Sequence, residues 1–288
     1  MAGLNTQVVP LDRVRAESLR ERLDEGGFNF HEVAHARFAA KGEGVTIVYY
    51  ASGKLVLQGR ELREFLERWL PEAAPKPPEL KDAMIGADEA GKGDYFGPLV
   101  TAAVYLEPDV ARFLDEVPLR DSKTLSAAEV ESGAEVLRRI VPFEIVSIGP
   151  KKYNELYAKF GNLNSLLAWA HKTAICDLVK RTGCKKVLLD KFADERVMDR
   201  AFGAARADLD FTMRTKAESE PAVAAASILA RDAFVRGVRR LSKEVGFNLP
   251  LGAGDPVDKA LRGLLAQKGE AFLPEVAKVH FKTTTKNR

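Results

Sequence analysis

The fold of the larger part of this chain is decided by one stretch, Ile85-Gly86-Ala87-Asp88-Glu89-Ala90-Gly91-Lys92-Gly93-Asp94-Tyr95-Phe96-Gly97-Pro98-Leu99-Val100. Its first apolar run ends in two adjacent carboxylates, Asp88 and Glu89, and a glycine-lysine-glycine turn precedes a second apolar run. Because successive side chains of a regular strand point to opposite faces, we expect these carboxylates to share one site only where the strand ends or bulges. Gly91 and Gly93 permit a sharp change of direction and a close approach of a ligand to the backbone. Carboxylates beside such a turn suit hard metal ions and phosphate chemistry, and an acidic turn between two strands is the alternative.

Alternating strand and helix patterns follow this stretch along the chain. Ser126 and Glu129 have the spacing of a capping box, which predicts the start of a helix. Apolar periodicity predicts strands over 84–88, 99–106, 143–148, 185–190 and 209–215, and further helices over about 162–181, 194–204 and 221–245. This order favours an α/β fold, a mixed sheet with helices on its faces, in which sites gather where strands end.

The first 70 residues have a pattern of their own. A helical stripe over 11–25, two β-rich runs over 45–50 and 55–59, and an amphipathic helix over 61–70 predict a small α+β domain. The segment that follows, 71–78, has four prolines in eight positions, and proline fixes φ and removes a hydrogen-bond donor. We therefore expect an N-terminal domain over 1–70, an extended linker over 71–80 and a second domain over 81–288.

The composition limits the possible classes of function. Of the 288 residues, 46% are hydrophobic and 30% are charged, and the net charge of +3 is too small to identify a nucleic-acid binder by itself. The two cysteines lack zinc-site spacing, and neither a signal peptide nor a bilayer-spanning run is visible, so we expect a cytoplasmic protein. His31 and His35 lack a third metal ligand, and Ser227 lacks the His/Asp pattern of a serine hydrolase.

Carboxylates occur at three places that can meet in the predicted sheet. Asp88 and Glu89 follow one apolar strand, Asp190 ends another, and Glu218 lies between the last strand and the last helix. Hydrolysis of a phosphodiester with two metal ions needs such oxygen ligands, which hold two divalent cations roughly 4 Å apart. Taken singly, each acid is better explained as a solvated residue at the end of a loop.

Several segments together resemble one family. The stretch 86–100 is similar to the signature of the ribonuclease HIII family, a branch of the type 2 ribonucleases H whose Gly-Lys-Gly turn differs from the usual Gly-Arg-Gly of ribonuclease HII. Further family segments occur in order: Asp121-Ser122-Lys123-Thr124-Leu125, Tyr153-Asn154, Gly161-Asn162-Leu163-Asn164, Leu189-Asp190-Lys191-Phe192, Thr215-Lys216-Ala217-Glu218-Ser219, Ala224-Ala225-Ala226-Ser227-Ile228-Leu229-Ala230-Arg231 and Ala277-Lys278-Val279-His280-Phe281-Lys282. The N-terminal unit, with Tyr50-Ala51-Ser52-Gly53-Lys54, resembles the TATA-box-binding-protein-like domain of this branch.

The resemblance implies an RNase H-like mixed sheet flanked by helices, with a small N-terminal domain. It also implies that four acids are both catalytic residues and metal ligands, namely Asp88, Glu89, Asp190 and Glu218. Glu220 is the alternative for the fourth position, because the length of the preceding loop can vary. Asp94 is a local alternative without support from the motif, and Asp232, inside a helix, is better explained as structural.

The same resemblance suggests how substrate is bound. It implies that the backbone of Gly91, Lys92 and Gly93 reaches the 2′-hydroxyl, which distinguishes RNA from DNA. Lys92 and Lys123 are candidates for contacts to phosphate, and a solvated lysine is an equal alternative for Lys123. In the N-terminal unit, Tyr49, Tyr50 and Lys54 are candidates for contact with a nucleic-acid groove, and aromatic residues buried in the core on one side of a strand are the alternative.

The predicted activity is hydrolysis of the RNA strand of RNA/DNA hybrids by two-metal-ion catalysis, leaving 3′-hydroxyl and 5′-phosphate ends. Mg²⁺ is the expected metal, with Mn²⁺ as a substitute, and a monomer without a membrane partner is expected. Two alternatives stay open. One is ribonuclease HII-like incision at single embedded ribonucleotides, and the other is a nucleic-acid-binding protein without turnover.

Overall fold

The chain divides into two compact units, Met1–Lys76 and Pro77–Arg288. The structure, a computed structural model, describes residues 5–73, 80–111 and 125–287, together with Leu114, Val117, Leu119 and Ser122. Lys123 and most of the proline-rich segment lie outside the described residues. The roles suggested for them therefore stay predictions.

The smaller unit is an antiparallel five-stranded sheet in the order β1-β5-β4-β3-β2, with two helices on one face. Its elements are β1 (Asn5–Pro10), α1 (Arg13–Glu25), β2 (Asn29–His31), β3 (Ala36–Gly42), β4 (Val45–Tyr50), β5 (Lys54–Gly59) and α2 (Leu62–Trp69). In β4, the side chains of Val45, Ile47 and Tyr49 are buried beneath the helices, and the residues between them are only partly buried. This period of two leaves the opposite face of the sheet open.

The larger unit is built on a mixed sheet in the order β10-β9-β6-β7-β8. Strands β6, β9 and β10 are parallel to one another, and β7 pairs antiparallel with both β6 and β8. The predicted mixed α/β sheet is thereby confirmed. The elements are β6 (Met84–Ala90), β7 (Leu99–Leu106), α3 (Pro108–Ala111), α4 (Ala127–Ile140), β8 (Phe143–Ile148), α5 (Pro150–Phe160), α6 (Leu163–Thr182), β9 (Lys186–Asp190), α7 (Glu195–Phe202), β10 (Asp210–Arg214), α8 (Pro221–Val245), α9 (Asp255–Lys268), α10 (Leu273–Val276) and α11 (Lys282–Lys286).

Helices cover both faces of this sheet. Helices α4 and α8 pack on one face, and α6 and α7 pack on the other. The alanine-rich start of α8 lies very close to β6, since a Cβ added to Gly86 would be 2.2 Å from the carbonyl carbon of Ala222. Small side chains on both elements permit this contact, which fixes the height of α8 above the strand that carries Asp88.

No helix in the described part of the chain combines the length and the apolar character that a bilayer-spanning segment needs.

Candidate functional site

Asp88 and Glu89 lie inside a regular strand. The predicted end of the strand at residue 88 is wrong, because the pairing of β6 with β7 continues to Ala90 opposite Val100. Asp88 lies opposite Ala102 and Glu89 opposite Thr101 without a bulge, so the two side chains point to opposite faces of the sheet. Asp88 faces α8, and Glu89 faces α6.

Asp88 lies where its negative charge is disfavoured. Burial, followed by the neighbouring charge of Glu89 and a smaller contribution from Asp190, raises the pKa of Asp88 to about 7. A hydrogen bond from Ser227 and one from the backbone N–H of Glu89, 2.7 Å from Asp88 Oδ1, oppose this shift only in part. A cation placed beside Asp88 would therefore stabilise its ionised form.

A second hydrogen bond extends this contact into the interior. The hydroxyl oxygens of Ser227 and Ser122 lie 2.7 Å apart, and both residues are buried. Ser122 belongs to the Asp-Ser-Lys segment quoted above, and Ser227 to the alanine-rich part of α8. Ser227 thus orients a carboxylate, which is a different role from that of a nucleophile.

Glu89 is held by a histidine and a lysine. His171 Nε2 lies 3.1 Å from Glu89 Oε2, and Lys92 Nζ lies 3.6 Å from Oε1. Burial acts to raise the pKa of Glu89, but the hydrogen bond from His171 and the electrostatic interactions with His171 and Lys92 outweigh it, so the pKa is lowered. Adjacent carboxylates therefore have opposite pKa shifts because they face different helices.

His171 is a site residue that the sequence analysis did not identify. It is fully buried on α6, and its ring stacks on that of Phe192 at 5.2 Å and 21°. The ammonium group of Lys92 lies 5.6 Å from the centre of the same Phe192 ring. The only sequence signal was a histidine on the apolar face of a helix, a pattern that also fits an ordinary core residue.

Asp190 comes close to Asp88 through strand pairing. In the parallel pair β6 and β9, Gly86 lies opposite Leu188 and Ala87 opposite Leu189, so Asp190 follows on the same face as Asp88. The backbone N–H of Ala217 donates a hydrogen bond of 3.0 Å to Asp190 Oδ1.

The remaining acids considered in the sequence analysis lie in different parts of the larger unit and have different partners. Glu218 is half-buried in the 3₁₀ turn Ala217–Ser219, directly after the residue that binds Asp190. Its alternative, Glu220, accepts a hydrogen bond of 2.9 Å from Arg214. Asp94 accepts one of 2.6 Å from the backbone N–H of Gly252, and the buried Asp232 pairs with two arginines of α4 and α8.

The acids fit hard divalent cations by their chemistry, although their side chains do not yet form a cage. Among the described residues, no three His, Cys, Asp or Glu side chains converge in a group that could hold a metal ion. The Glu89 carboxylate instead contacts His171 and Lys92. All the candidate ligands are oxygens, and a divalent cation would offset both the burial that mainly raises the pKa of Asp88 and the smaller repulsion from neighbouring carboxylates.

The two glycines of the glycine-lysine-glycine turn differ in backbone conformation and in the space that surrounds them. Gly91 has φ +83° and is buried, and a Cβ there would lie 2.3 Å from the carbonyl oxygen of Pro98, so the fold itself requires glycine. Gly93 is exposed, has no left-handed φ, and would place a Cβ more than 4 Å from any other part of the protein. The fold does not require glycine at 93, and its backbone is open to a ligand.

Tyr50 and Lys54 lie on the open face of the smaller sheet. The strand pairings place Val48 and Val56 side by side on this face, with Lys41, Lys54 and Tyr50 around them. None of the described strand residues that face this way is an acid; they are Thr6, Val8, Pro10, Asn29, His31, Ala39, Lys41, Thr46, Val48, Tyr50, Lys54, Val56 and Gln58. This surface, here called the open face, is locally basic even though acids and bases balance over residues 1–70.

Known proteins resemble the chain along nearly its whole length. A family model described as Ribonuclease HII matches residues 85–284, and a domain of unknown function matches residues 6–81. A protein of Protochlamydia amoebophila named Ribonuclease HIII is 42% identical, covering 98% of this chain and 97% of its own. The Ribonuclease HIII of Chlamydia pneumoniae is 40% identical over 96% of each chain. Among solved structures, Bst-RNase HIII in complex with Mn²⁺ has a TM-score of 0.68 and 29% identity over 98% of both chains.

Proposed function

Since this chain belongs to the ribonuclease HIII family and is a ribonuclease H enzyme, we propose that it hydrolyses the RNA strand of RNA/DNA hybrids by two-metal-ion catalysis. The products would carry 3′-hydroxyl and 5′-phosphate ends. One observation carries this proposal: β6 and β9 bring Asp88 and Asp190 to the same face of the sheet, where burial and the charges of Glu89 and Asp190 disfavour the ionised form of Asp88. A carboxylate in such surroundings is suited to bind a hard cation.

Four acids are proposed as catalytic residues and metal ligands. Asp88 and Asp190, on one face of adjacent parallel strands, would be the principal ligands, and Glu89 and Glu218 would complete the site. Two divalent cations bound there, Mg²⁺ with Mn²⁺ as a substitute, would activate a water molecule and neutralise the leaving oxygen. The structure with Mn²⁺ among the relatives supports a divalent metal.

The surrounding residues would keep these acids in place. Ser227 holds Asp88, the backbone N–H of Ala217 holds Asp190, and His171 holds Glu89. Hydrogen bonds of this kind to the ligands of a metal fix their orientation before substrate arrives. The reaction would then lose little free energy to reorganisation of charged groups.

Two surfaces are proposed to bind substrate. The exposed backbone at Gly93, with Gly91 and Lys92, would meet the 2′-hydroxyl of the RNA strand, which supports recognition of ribose. The open face of the smaller sheet, with Tyr50 and Lys54, would bind the duplex through phosphate contacts and aromatic surface. The absence of acids among the described residues of that face supports this role.

The choice of substrate separates this proposal from its alternatives. The test compares initial cleavage rates on a continuous RNA/DNA hybrid and on a DNA duplex with one embedded ribonucleotide. We expect faster cleavage of the hybrid. Faster cutting at the single ribonucleotide would instead assign a ribonuclease HII-like activity, and tight binding without cleavage of either substrate would identify a binding protein.

A further inference from the structure

Lys278 is a fully buried lysine between the C-terminal segment and the loop that follows the glycine-lysine-glycine turn. Its ammonium group donates hydrogen bonds to the backbone carbonyl oxygens of Asp94, at 2.9 Å, and Gly97, at 2.8 Å. It also lies 5.6 Å from the centre of the Tyr153 ring. The side chain therefore joins the two ends of the segment 94–97.

Core packing does not account for a lysine at this position. Burial lowers the pKa of Lys278 to about 7, and the charge of Asp94 opposes that shift only in part. A buried ammonium group costs free energy that an apolar side chain of similar length would not. Its two hydrogen bonds satisfy carbonyl groups of the loop, so the role of the residue lies in the position of that loop.

Further hydrogen bonds hold the same segment from the C-terminal side. The backbone N–H of Lys278 donates to Tyr95 at 2.9 Å, and that of Gly97 donates to Val276 at 3.0 Å. Gly252 accepts from the N–H of Tyr95 at 2.8 Å and donates to the Asp94 carboxylate at 2.6 Å. The segment 94–97 is thus fixed as a unit.

The glycine turn takes its position from this unit. Gly91 packs against Pro98 at one side of the segment, and its carbonyl accepts a bond of 3.4 Å from the N–H of Asp94. Gly93 has no protein neighbour where a side chain would be. The place of its backbone is therefore set by its chain neighbour Asp94, which Lys278 holds.

We propose that Lys278 is a positioning residue for ribose recognition: by binding the Asp94 and Gly97 carbonyls, it holds the Gly91–Gly93 turn where the backbone meets the 2′-hydroxyl. The proposal rests on the proposed function of the site. In this role, Lys278 needs the hydrogen-bond donors of its ammonium group, and an apolar side chain of the same volume would not replace it.

The test measures binding without turnover. In the full-length Asp88→Asn protein, dissociation constants are measured for an RNA/DNA hybrid and for a DNA duplex of the same sequence. One double variant carries Lys278→Met in the Asp88→Asn protein. The matched control carries Lys268→Met instead, at an exposed lysine in the last turn of α9. We expect Lys278→Met to reduce the preference for the hybrid about tenfold, the effect of one or two lost hydrogen bonds, and to leave binding of the DNA duplex unchanged within about twofold. Lys268→Met should retain the full preference.

The outcomes are distinguishable. If the Asp88→Asn parent shows no preference for the hybrid, the proposed substrate is wrong and this inference fails with it. If the parent has the preference and Lys278→Met keeps it, even with a lower melting temperature, Lys278 is only structural and this inference alone is overturned. If circular dichroism shows that Lys278→Met is unfolded, Lys278→Gln, whose side chain is polar but too short to reach both carbonyl oxygens, takes its place. A reduced preference in that variant supports the inference, and an unchanged one overturns it.

Discussion

The two sheets of this chain present their functional residues differently. Helices cover both faces of the sheet in the larger unit, and the proposed chemistry lies near the carboxyl ends of β6 and β9, where Asp88, Glu89 and Asp190 are partly buried. Helices cover one face of the sheet in the smaller unit, and Tyr50 and Lys54 lie on the open face. Buried charges need fixed partners and are costly to alter, whereas each exposed charge contributes little by itself. Substitutions at the strand ends should therefore have much larger effects than substitutions on the open face.

The largest effect is expected from Asp88→Asn. We expect hybrid cleavage to fall about 10³-fold, because stabilisation of charge by a bound metal is worth several kcal/mol, while hybrid binding changes only a few-fold. Initial rates and gel-shift affinities check this. Asp210→Asn, at an exposed carboxylate at the start of β10, is the control and should keep full activity. Unchanged cleavage by Asp88→Asn would remove Asp88 from the metal site.

The same substitution should change the pH dependence of stability in metal-free buffer. The folded pKa of Asp88, about 7, is above its unfolded value of 3.8, so folding favours the protonated carboxyl. Asp88 therefore contributes a loss of stability as pH rises from about 4 to 7, and Asp88→Asn lacks this contribution. The free energy of unfolding of the variant minus that of the wild type should be greater above pH 7 than at pH 4, by up to ~4 kcal/mol. Urea unfolding across this range measures it, and a difference independent of pH would contradict the raised pKa.

Substitutions at the two glycines of the turn should affect different properties, substrate recognition at Gly93 and stability at Gly91. We expect Gly93→Ala to lower hybrid cleavage about tenfold with little change in melting temperature, because its Cβ meets no protein atom but intrudes on the ligand. We expect Gly91→Ala to lower the melting temperature markedly, since its Cβ would lie 2.3 Å from a backbone oxygen. Thermal melts and initial rates of both variants check this. Full activity in Gly93→Ala would show that the backbone at 93 does not approach the substrate.

An effect of about the same size on hybrid cleavage is expected at His171. Replacement by asparagine should lower kcat on the hybrid about tenfold, because Glu89 loses the hydrogen bond that orients it. Replacement by glutamine, whose amide nitrogen reaches the position of Nε2, should retain most of the activity. Equal activities of the two variants would show that the bond between His171 and Glu89 has no part in the reaction.

The smallest effect is expected on the open face. Lys54→Gln should weaken hybrid binding a few-fold and reduce the slope of log affinity against log salt by about one, with kcat unchanged. Arg13→Gln, at an exposed arginine on α1, is the control on the helical side of the same unit and should change neither quantity. If both variants weaken binding equally, the open face is not the binding surface.

The sequence predicted the elements whose patterns are strong. The helix α8 begins at Pro221 and ends at Val245 as predicted, and the capping box at Ser126 starts α4. The edge strand β1, which ends in a proline, and the lysine-rich α5 were not predicted, because neither has a clear apolar period. Hydrogen-bond pairing with β7, which forms only in the folded chain, extends β6 two residues beyond its predicted end at Asp88.

The site was predicted less completely than the fold. Motifs indicated the four acids, but they could not show that Asp88 and Glu89 face different helices with opposite pKa shifts. His171 is 82 residues from Glu89, and Lys278 is 181 from Gly97, so their contacts exist only in the tertiary structure. Neither residue has a local pattern that distinguishes it from an ordinary core or tail residue.

One measurement tests the central proposal most directly: cleavage of an RNA/DNA hybrid by the full chain, first with a chelator and then with Mg²⁺ restored, followed by analysis of the product ends. We expect no cleavage with the chelator, recovery with Mg²⁺, and products with 3′-hydroxyl and 5′-phosphate ends. Cleavage in the presence of the chelator, or products with 2′,3′-cyclic phosphate ends, would contradict it, because the 2′-hydroxyl would then be the nucleophile in place of a metal-activated water.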